Sequence, residues 1–307
     1  MSSLACPLCQ KETTVRLGQK VYHGLRIATV LCQSCGLVYH DPLVQDADRQ
    51  KLGLSHRQLH TNENIDRRQE RRVQRRVRQQ IDFLAELIRS DWRTLEIGSG
   101  LGFLSHWLVQ KGCQAVGVEP DRQQAHYARQ HFGLEVVNCR FEETDFSGKF
   151  DFFAASHVIE HFPDPLSFLE KIRSLAAPRA LFFLDTPNIM APKVGPTRLF
   201  SLAHNYYFSP QTLQACLART GWQVEKTRVF RRDSFYVLAR ADQPRGATPS
   251  RAHAQEVGRA IRRHRLFYYL HLLFLLRKIP LWQRLWMYHY RDYRGPLPGV
   301  GDLSLAL

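Results

Sequence analysis

Two carboxylates flank a run of alternating glycines. Glu96 stands two residues before Gly98, Gly100 and Gly102, and Glu119 ends the apolar stretch that follows. Glycines here remove Cβ atoms where a chain must turn sharply, and let a ligand lie against the backbone. The spacing is G-x-G-x-G, not the G-x-G-x-x-G with a later acid that cradles a dinucleotide. A generic glycine turn is the plainer reading, and the two acids at these places argue against it.

Four of the seven cysteines form two C-x-x-C pairs, Cys6 with Cys9 and Cys32 with Cys35. Two thiolates from each pair suit one tetrahedral ion, and the segment between them, including Ala28 to Leu31, can fold back as a hairpin. So short a segment buries too little surface to fold alone, so the spacing predicts a structural zinc that contributes folding energy. Four thiolates leave no open position for a substrate. Cys113, Cys139 and Cys216 read as small buried apolar residues.

Proton chemistry falls to histidine. His157, Glu160 and His161 follow the apolar run Phe150 to Ser156, and His204 precedes Tyr206 and Tyr207. Neutral imidazole accepts a proton near pH 7, which makes His157 and His204 the candidate general bases. For each, a satisfied structural side chain is the competing reading.

The elements that must position these groups follow from periodicity and caps. Leu95 to Ile97 end a buried strand, Leu101 to Lys111 fit a helix closed by Gly112, and Ala115 to Glu119 form a second strand. This is a β-α-β unit with a nucleotide-sized crevice at its carboxyl edge. Asp121 is the N-cap of a helix reaching Phe132 and Gly133. Leu134 to Asn138, Phe150 to Ser156 and Ala180 to Leu184 read as three more strands, with Ala177 to Ala180 as the turn before the last. Asp164-Pro165 and Ser209-Pro210 each pair an N-cap with an N1 proline, starting helices over 166–176 and 211–220. Trp222 to Phe230 and Ser234 to Arg240 read as an antiparallel pair. Glu63 to Ser90 reads as one helix with the stripe Val73, Val77, Ile81, Leu84 and Ile88.

The pattern apolar-Glu-apolar-G-x-G-x-G at Leu95 to Gly102, with Glu119 ending the next strand, resembles the class I methyltransferases that use S-adenosylmethionine. The resemblance implies that Gly98, Gly100 and Gly102 line the cofactor crevice. It puts Glu96 toward the methionine ammonium and gives Glu119 both ribose hydroxyls to accept from. It places adenine contacts at Arg140, where relatives have an Asp, and at Phe141, and it adds Ser156 to the cofactor contacts. From Cys6 to Arg240 the chain resembles a narrower group with three further marks. These are an N-terminal zinc ribbon, E-H-x-x-D-P at Glu160 to Pro165, and H-x-x-Y-F-S at His204 to Ser209 after Pro187-Asn188. Such proteins decorate sugars and surface polysaccharides, and near relatives methylate ubiquinone precursors. The implied fold class is α/β, a Rossmann-like class I methyltransferase sheet with an antiparallel terminal hairpin, plus the zinc ribbon and a helical C-terminal segment. The implied reaction is methyl transfer to a hydroxyl of a small molecule, a sugar nucleotide or a lipid-linked glycan.

At 307 residues, with 44% hydrophobic content and a net charge of +15, the chain suits one large domain plus a small one and anionic partners. The expected divisions are a zinc ribbon over 1–45, a linker and basic amphipathic helix over 46–90, the cofactor-binding domain over 91–240 and a basic, apolar helical segment over 241–307. The arginines among residues 67–78 read as a solvated face, with a nucleic-acid stripe as the lesser reading. Leu266 to Leu276 is too short to span a bilayer. Flanked by arginines, with Trp282 and Trp286 beyond, it suits an interfacial helix on anionic lipid, and equally docking on the catalytic domain or a second subunit in a homodimer. No apolar signal segment opens the chain, so the expected location is the cytoplasm, with peripheral contact at the inner membrane face. Two other classes stay open: an RNA methyltransferase that grips RNA through ribbon and basic helix, and a cofactor- or zinc-binding protein without catalysis.

Overall fold

The chain between the cysteine pairs folds back on itself. β1 (Thr14–Tyr22) and β2 (Leu25–Cys32) pair antiparallel with Thr14 opposite Cys32, and β3 (Val38–Asp41) adds to β2. The computed structural model describes residues 5–22, 24–45, 65–192, 194–196, 198–230 and 234–276. The expected linker over 46–62, and Trp282 and Trp286, lie outside them. Residues 1–262 form one compact unit and 263–307 a second.

Helix α1 (Arg67–Leu84) starts where the Asp66 carboxylate accepts from the Gln69 amide at 2.6 Å. It buries Val77, Gln80, Phe83 and Leu84. The stripe predicted a helix to Ser90, but the helix ends at Leu84. Leu87 and Ile88 still pack on the core under α1, so tertiary contact outweighs helical continuation there.

The larger sheet alternates strand and helix. It runs through β4 (Arg93–Ile97), α2 (Phe103–Gln110), β5 (Gln114–Val118), α3 (Arg122–Phe132), β6 (Glu135–Val137), β7 (Phe150–Ser156), α4 (Pro165–Ser174) and β8 (Ala176–Pro187). Then come the short β9 (Tyr206–Tyr207), α5 (Pro210–Arg219), β10 (Trp222–Val229), β11 (Ser234–Ala241) and α6 (Arg251–Leu276). The strand order is β10-β11-β8-β7-β4-β5-β6. β8, β7, β4, β5 and β6 are parallel, while β11 and β10 close the edge antiparallel. This is the Rossmann-like class I methyltransferase sheet. Phe150, Phe153, Phe182 and Trp222 pack on one of its faces, and Phe152, Phe183, Tyr236 and Phe83 on the other.

The predicted caps are all made. Asp121 accepts from Gln123 and Gln124, Asp164 from Leu166 and Ser167, and Ser209 from Thr212. The predicted turn at Ala177 to Ala180 is instead the start of β8, with Ala176 opposite Phe150. The register shifts there, and Arg179 takes φ +64°, an unusual conformation for a residue with a Cβ.

The smaller sheet has the order β1-β2-β3-β9. Its last strand belongs to the segment after β8, so the cysteine-bearing hairpin and that segment share one sheet. Val38 pairs with Tyr207 and Tyr39 with Tyr206.

Candidate active site

The carboxyl end of β4 turns through Gly98, Gly100 and Gly102, at φ +68°, +55° and +81°. A Cβ on Gly98 would stand 2.5 Å from Val158, and one on Gly102 2.6 Å from Leu134. At Gly98 and Gly102 the turn therefore packs too closely for any side chain, and at all three the positive φ favours glycine. Glu119, just past β5, accepts from the Gly100 amide through Oε2 and the Asp121 amide through Oε1, each at 2.8 Å. Burial raises its carboxyl to about 7, against the pull of those two amides. Glu96 is also buried, and one of its oxygens accepts from the Ser105 amide and hydroxyl at 2.9 and 2.5 Å. Burial pushes this carboxyl up to about 8.

At the corner after β6, Arg140 pairs with Glu142 at 3.0 Å in a half-exposed position. Phe141 is buried on Phe168, with the Lys171 ammonium over its ring. The same ammonium donates to the carbonyls of Phe141, Glu142 and Thr144, which fixes the corner.

The loop after β7 carries the densest group of ionisable side chains. His157 takes φ +55°, and its amide donates to the Asp185 carbonyl at 2.7 Å. Its Nδ1 lies 3.4 Å from Glu160 Oε1 and its Nε2 3.7 Å from Asp185 Oδ1. Those two oxygens are buried and have no hydrogen-bond partner, so the imidazole is their nearest polar contact. The other oxygens are engaged: Thr186 donates to Glu160 Oε2 at 3.0 Å, while Ser156 and Gln80 donate to Asp185 Oδ2 at 3.1 and 2.9 Å. Burial pushes the Glu160 carboxyl up, but the imidazole of His157 beside it, and then those of His161 and His204, outweigh it and hold the group at about 2.

His161 Nδ1 donates to the Ala203 carbonyl at 2.8 Å, since a carbonyl oxygen can only accept. The rings of His161 and His204 meet edge to face at 4.8 Å. Glu160, His161 and His204 each offer an atom within 4.8 Å of the others, close enough to share a cation. Both candidate bases therefore flank one buried carboxylate. Sequence reasoning did not single out Gln80, Asp185 or Asn205. Gln80 interrupts the apolar stripe of α1, which was the one signal available for it.

The four cysteines also converge. Cys6 and Cys35 Sγ are 3.6 Å apart, Cys9 and Cys32 Sγ 3.5 Å, and all four lie within 4.8 Å. A disulfide needs about 2.05 Å. Thiolates about 2.3 Å from one tetrahedral ion stand roughly 3.7 Å apart, so the set fits a metal.

Strand order, glycine turn and strand-end acid together define the class I methyltransferase fold. The family model described as a methyltransferase domain matches residues 69–227, about half of the chain, and the chain belongs to that family. It is similar to the ubiquinone biosynthesis O-methyltransferase of Rhodopseudomonas palustris, at 31% identity over 101 residues, 31% of this chain and 40% of the relative. The enzyme of the same description from Pseudoalteromonas translucida is 26% identical over 165 residues, 47% of this chain and 70% of the relative. The chain thus spans about two fifths of the length of the first of these relatives. Magnesium protoporphyrin IX methyltransferase from Synechocystis, solved with bound S-adenosylhomocysteine, is 18% identical with a TM-score of 0.47, over 66% of this chain and 99% of that one.

Proposed function

We propose that this chain transfers the methyl group of S-adenosylmethionine to a hydroxyl oxygen of a small-molecule acceptor. One observation carries the reading. The glycine turn with buried Glu119 and the Glu160–His161–His204 cluster stand at the same edge of the sheet, with Val158 between Gly98 and Glu160. Methyl transfer needs a cofactor turn and a proton-accepting group on one side of the sheet, and this arrangement supports that. When bound, S-adenosylmethionine supplies an electrophilic methyl on sulfonium.

The chain's own residues do the rest. Gly98, Gly100 and Gly102 leave the backbone open to the cofactor, and Glu119 accepts from the ribose hydroxyls. Glu96, pushed up to about 8 by burial in the unliganded chain, becomes the charged partner of the ammonium once that cation stands beside it and lowers it, and Arg140, Phe141 and Ser156 are the further cofactor contacts that the resemblance assigns. His204 takes the acceptor's proton as the methyl transfers, beside an ionised Glu160 that stabilises the resulting imidazolium. His157, between two carboxylates, is the rival base. Cys6, Cys9, Cys32 and Cys35 hold one structural zinc per chain, and elemental analysis finding none would remove it. The ubiquinone-type relatives support a hydroxyl acceptor, and the wider choice includes sugar nucleotides and lipid-linked glycans. Methyl-labelled cofactor offered with catechols, sugar nucleotides and lipid-linked glycans should yield a labelled product in one class. Bound cofactor with no product in any class would favour a binding protein.

A second reading has one observation in its favour. Arg67, Arg68, Arg71, Arg72, Arg75 and Arg78 are all exposed on α1. Such a face can follow a phosphate backbone, as an RNA methyltransferase would require. RNA affinity that falls steeply with salt would support it.

A further inference from the structure

Asn205 is fully buried, next to His204 in the chain. Its side chain meets Val44 as a neighbouring strand would. Oδ1 accepts from the Val44 amide at 2.9 Å, and Nδ2 donates to the Val44 carbonyl at 3.1 Å. Nδ2 also donates to the His161 carbonyl at 3.3 Å. Its backbone amide donates to the Glu160 carbonyl at 2.8 Å, and its carbonyl accepts from the His40 amide at 2.9 Å. One residue therefore bonds to the cysteine-bearing segment, at His40 and Val44, and to both Glu160 and His161.

Neighbouring bonds run the same way. His40 is buried. Its Nε2 donates to the Ser201 carbonyl at 3.0 Å and its Nδ1 accepts from Thr29 at 3.1 Å. Tyr206 donates to the Pro163 carbonyl at 2.8 Å. Arg219 of α5 donates to the Leu8 carbonyl, inside the first cysteine pair. The glycine turn has different supports, the Val118 carbonyl and the Glu119 carboxylate. The cysteine-bearing segment thus braces the Glu160–His161–His204 side of the site, while the glycine turn is braced from β5.

We propose that Asn205 is a positioning residue that transmits the order of the four-cysteine segment to Glu160, His161 and His204. Naming that cluster the acceptor side rests on the methyl-transfer reading, but the coupling itself does not. A buried amide with all its polar atoms bonded fixes both partners, and losing either donor leaves carbonyls without one. Asn205→Asp keeps the shape but turns an acceptor toward two carbonyls, and Asn205→Ala removes the three side-chain bonds while leaving the two backbone bonds. Loss of the metal frees β2 and β3, so it should loosen residues 203–208 without touching the cofactor turn.

The test uses the full chain loaded with zinc, as wild type, Asn205→Asp and Asn205→Ala. Hydrogen exchange is followed at residues 158–162 and 203–208, and the His161 ring by NMR. Zinc content and S-adenosylhomocysteine affinity are measured alongside. Both variants should keep one zinc and bind S-adenosylhomocysteine within about twofold of wild type. They should exchange about tenfold faster in those two segments, with a displaced His161 signal. Wild type stripped of zinc by a chelator should show the same faster exchange at 203–208, with the amides of 98–102 unchanged. Wild-type exchange and His161 signals in the variants, or protected 203–208 after zinc removal, would overturn the proposal. If neither variant folds, the zinc-stripped arm decides. A wild type that does not bind S-adenosylhomocysteine would sink the methyl-transfer reading, while the exchange results would still decide the coupling.

Discussion

Glu160 Oε1 stands 3.4 Å from Nδ1 of His157, and this carboxylate is shut off from water at 1% exposure. A carboxylate buried this deeply stays charged because imidazoles stand beside it, His157 foremost, then His161 and His204. Glu160→Gln should therefore lower stability by about 1.5–3 kcal/mol at pH 7, the range for hydrogen bonds to charged groups. The carboxyl is held at about 2, below its unfolded value. Its contribution is full above the unfolded value of about 4.3 and fades as pH falls toward 2. Urea unfolding of both proteins should give a gap at pH 7 that shrinks at pH 3. An equal gap at the two pH values would contradict this origin.

Glu119 has the opposite shift. Burial raises it to about 7, so the folded chain holds this proton longer than the unfolded chain does. The unliganded protein consequently loses stability from this group as pH rises from about 4.3 to 7. Only the ionised form can accept from both ribose hydroxyls, one on each oxygen, so cofactor affinity should rise with pH up to about 7 and flatten above it. The slope below 7 is at most about tenfold per pH unit. Titrations of S-adenosylhomocysteine between pH 5.5 and 8.5 read this directly, and Glu119→Gln should flatten the profile.

His204 meets His161 edge to face and lies near the ionised Glu160. His204→Ala should lower turnover by about 10²-fold or more and leave cofactor affinity nearly intact. Normal turnover in that variant, with loss in His157→Ala, would transfer the role to His157.

Helix α6 contributes Ala254, Val257, Ala260 and Ile261 to the core, and His253 lies 2.9 Å from the Ser209 hydroxyl. Leu266, Phe267, Tyr268, Tyr269 and Leu270 further along it are exposed. A truncation meant to remove the apolar run must keep α6 as far as Arg262. Among the described residues, no helix is long and apolar enough to cross a membrane. If the run lies on lipid, the full chain should float with anionic vesicles in a salt-sensitive way, and a chain ending after Arg263 should not. Equal behaviour of the two would favour docking on protein instead.

Much of this was legible in the sequence where the chemistry is local. Asp121, Asp164 and Ser209 are followed within three residues by the amides they cap, so each helix start could be read directly. Gly98, Gly100 and Gly102 were legible because each holds a positive φ that side chains rarely adopt, and at Gly98 and Gly102 the neighbours leave no room for a Cβ either. Gln80, Asp185 and Asn205 were not, because their meaning lies in distant partners. Asn205 and Val44 are 161 positions apart, and nothing near either announces the pairing. The turn expected at Ala177 failed for a related reason. Pairing of Ala176 with Phe150 draws the segment into the sheet, and Arg179 accepts a positive φ to stay there.

The account turns on the glycine turn and Glu119 together forming a cofactor site. Calorimetry of S-adenosylmethionine binding to wild type and to Glu119→Ala tests it most directly. Wild type should bind one cofactor per chain, and the variant should bind about 1.5–3 kcal/mol more weakly, roughly 10- to 150-fold in Kd. Equal affinity in the two proteins, or no binding by wild type, would contradict it.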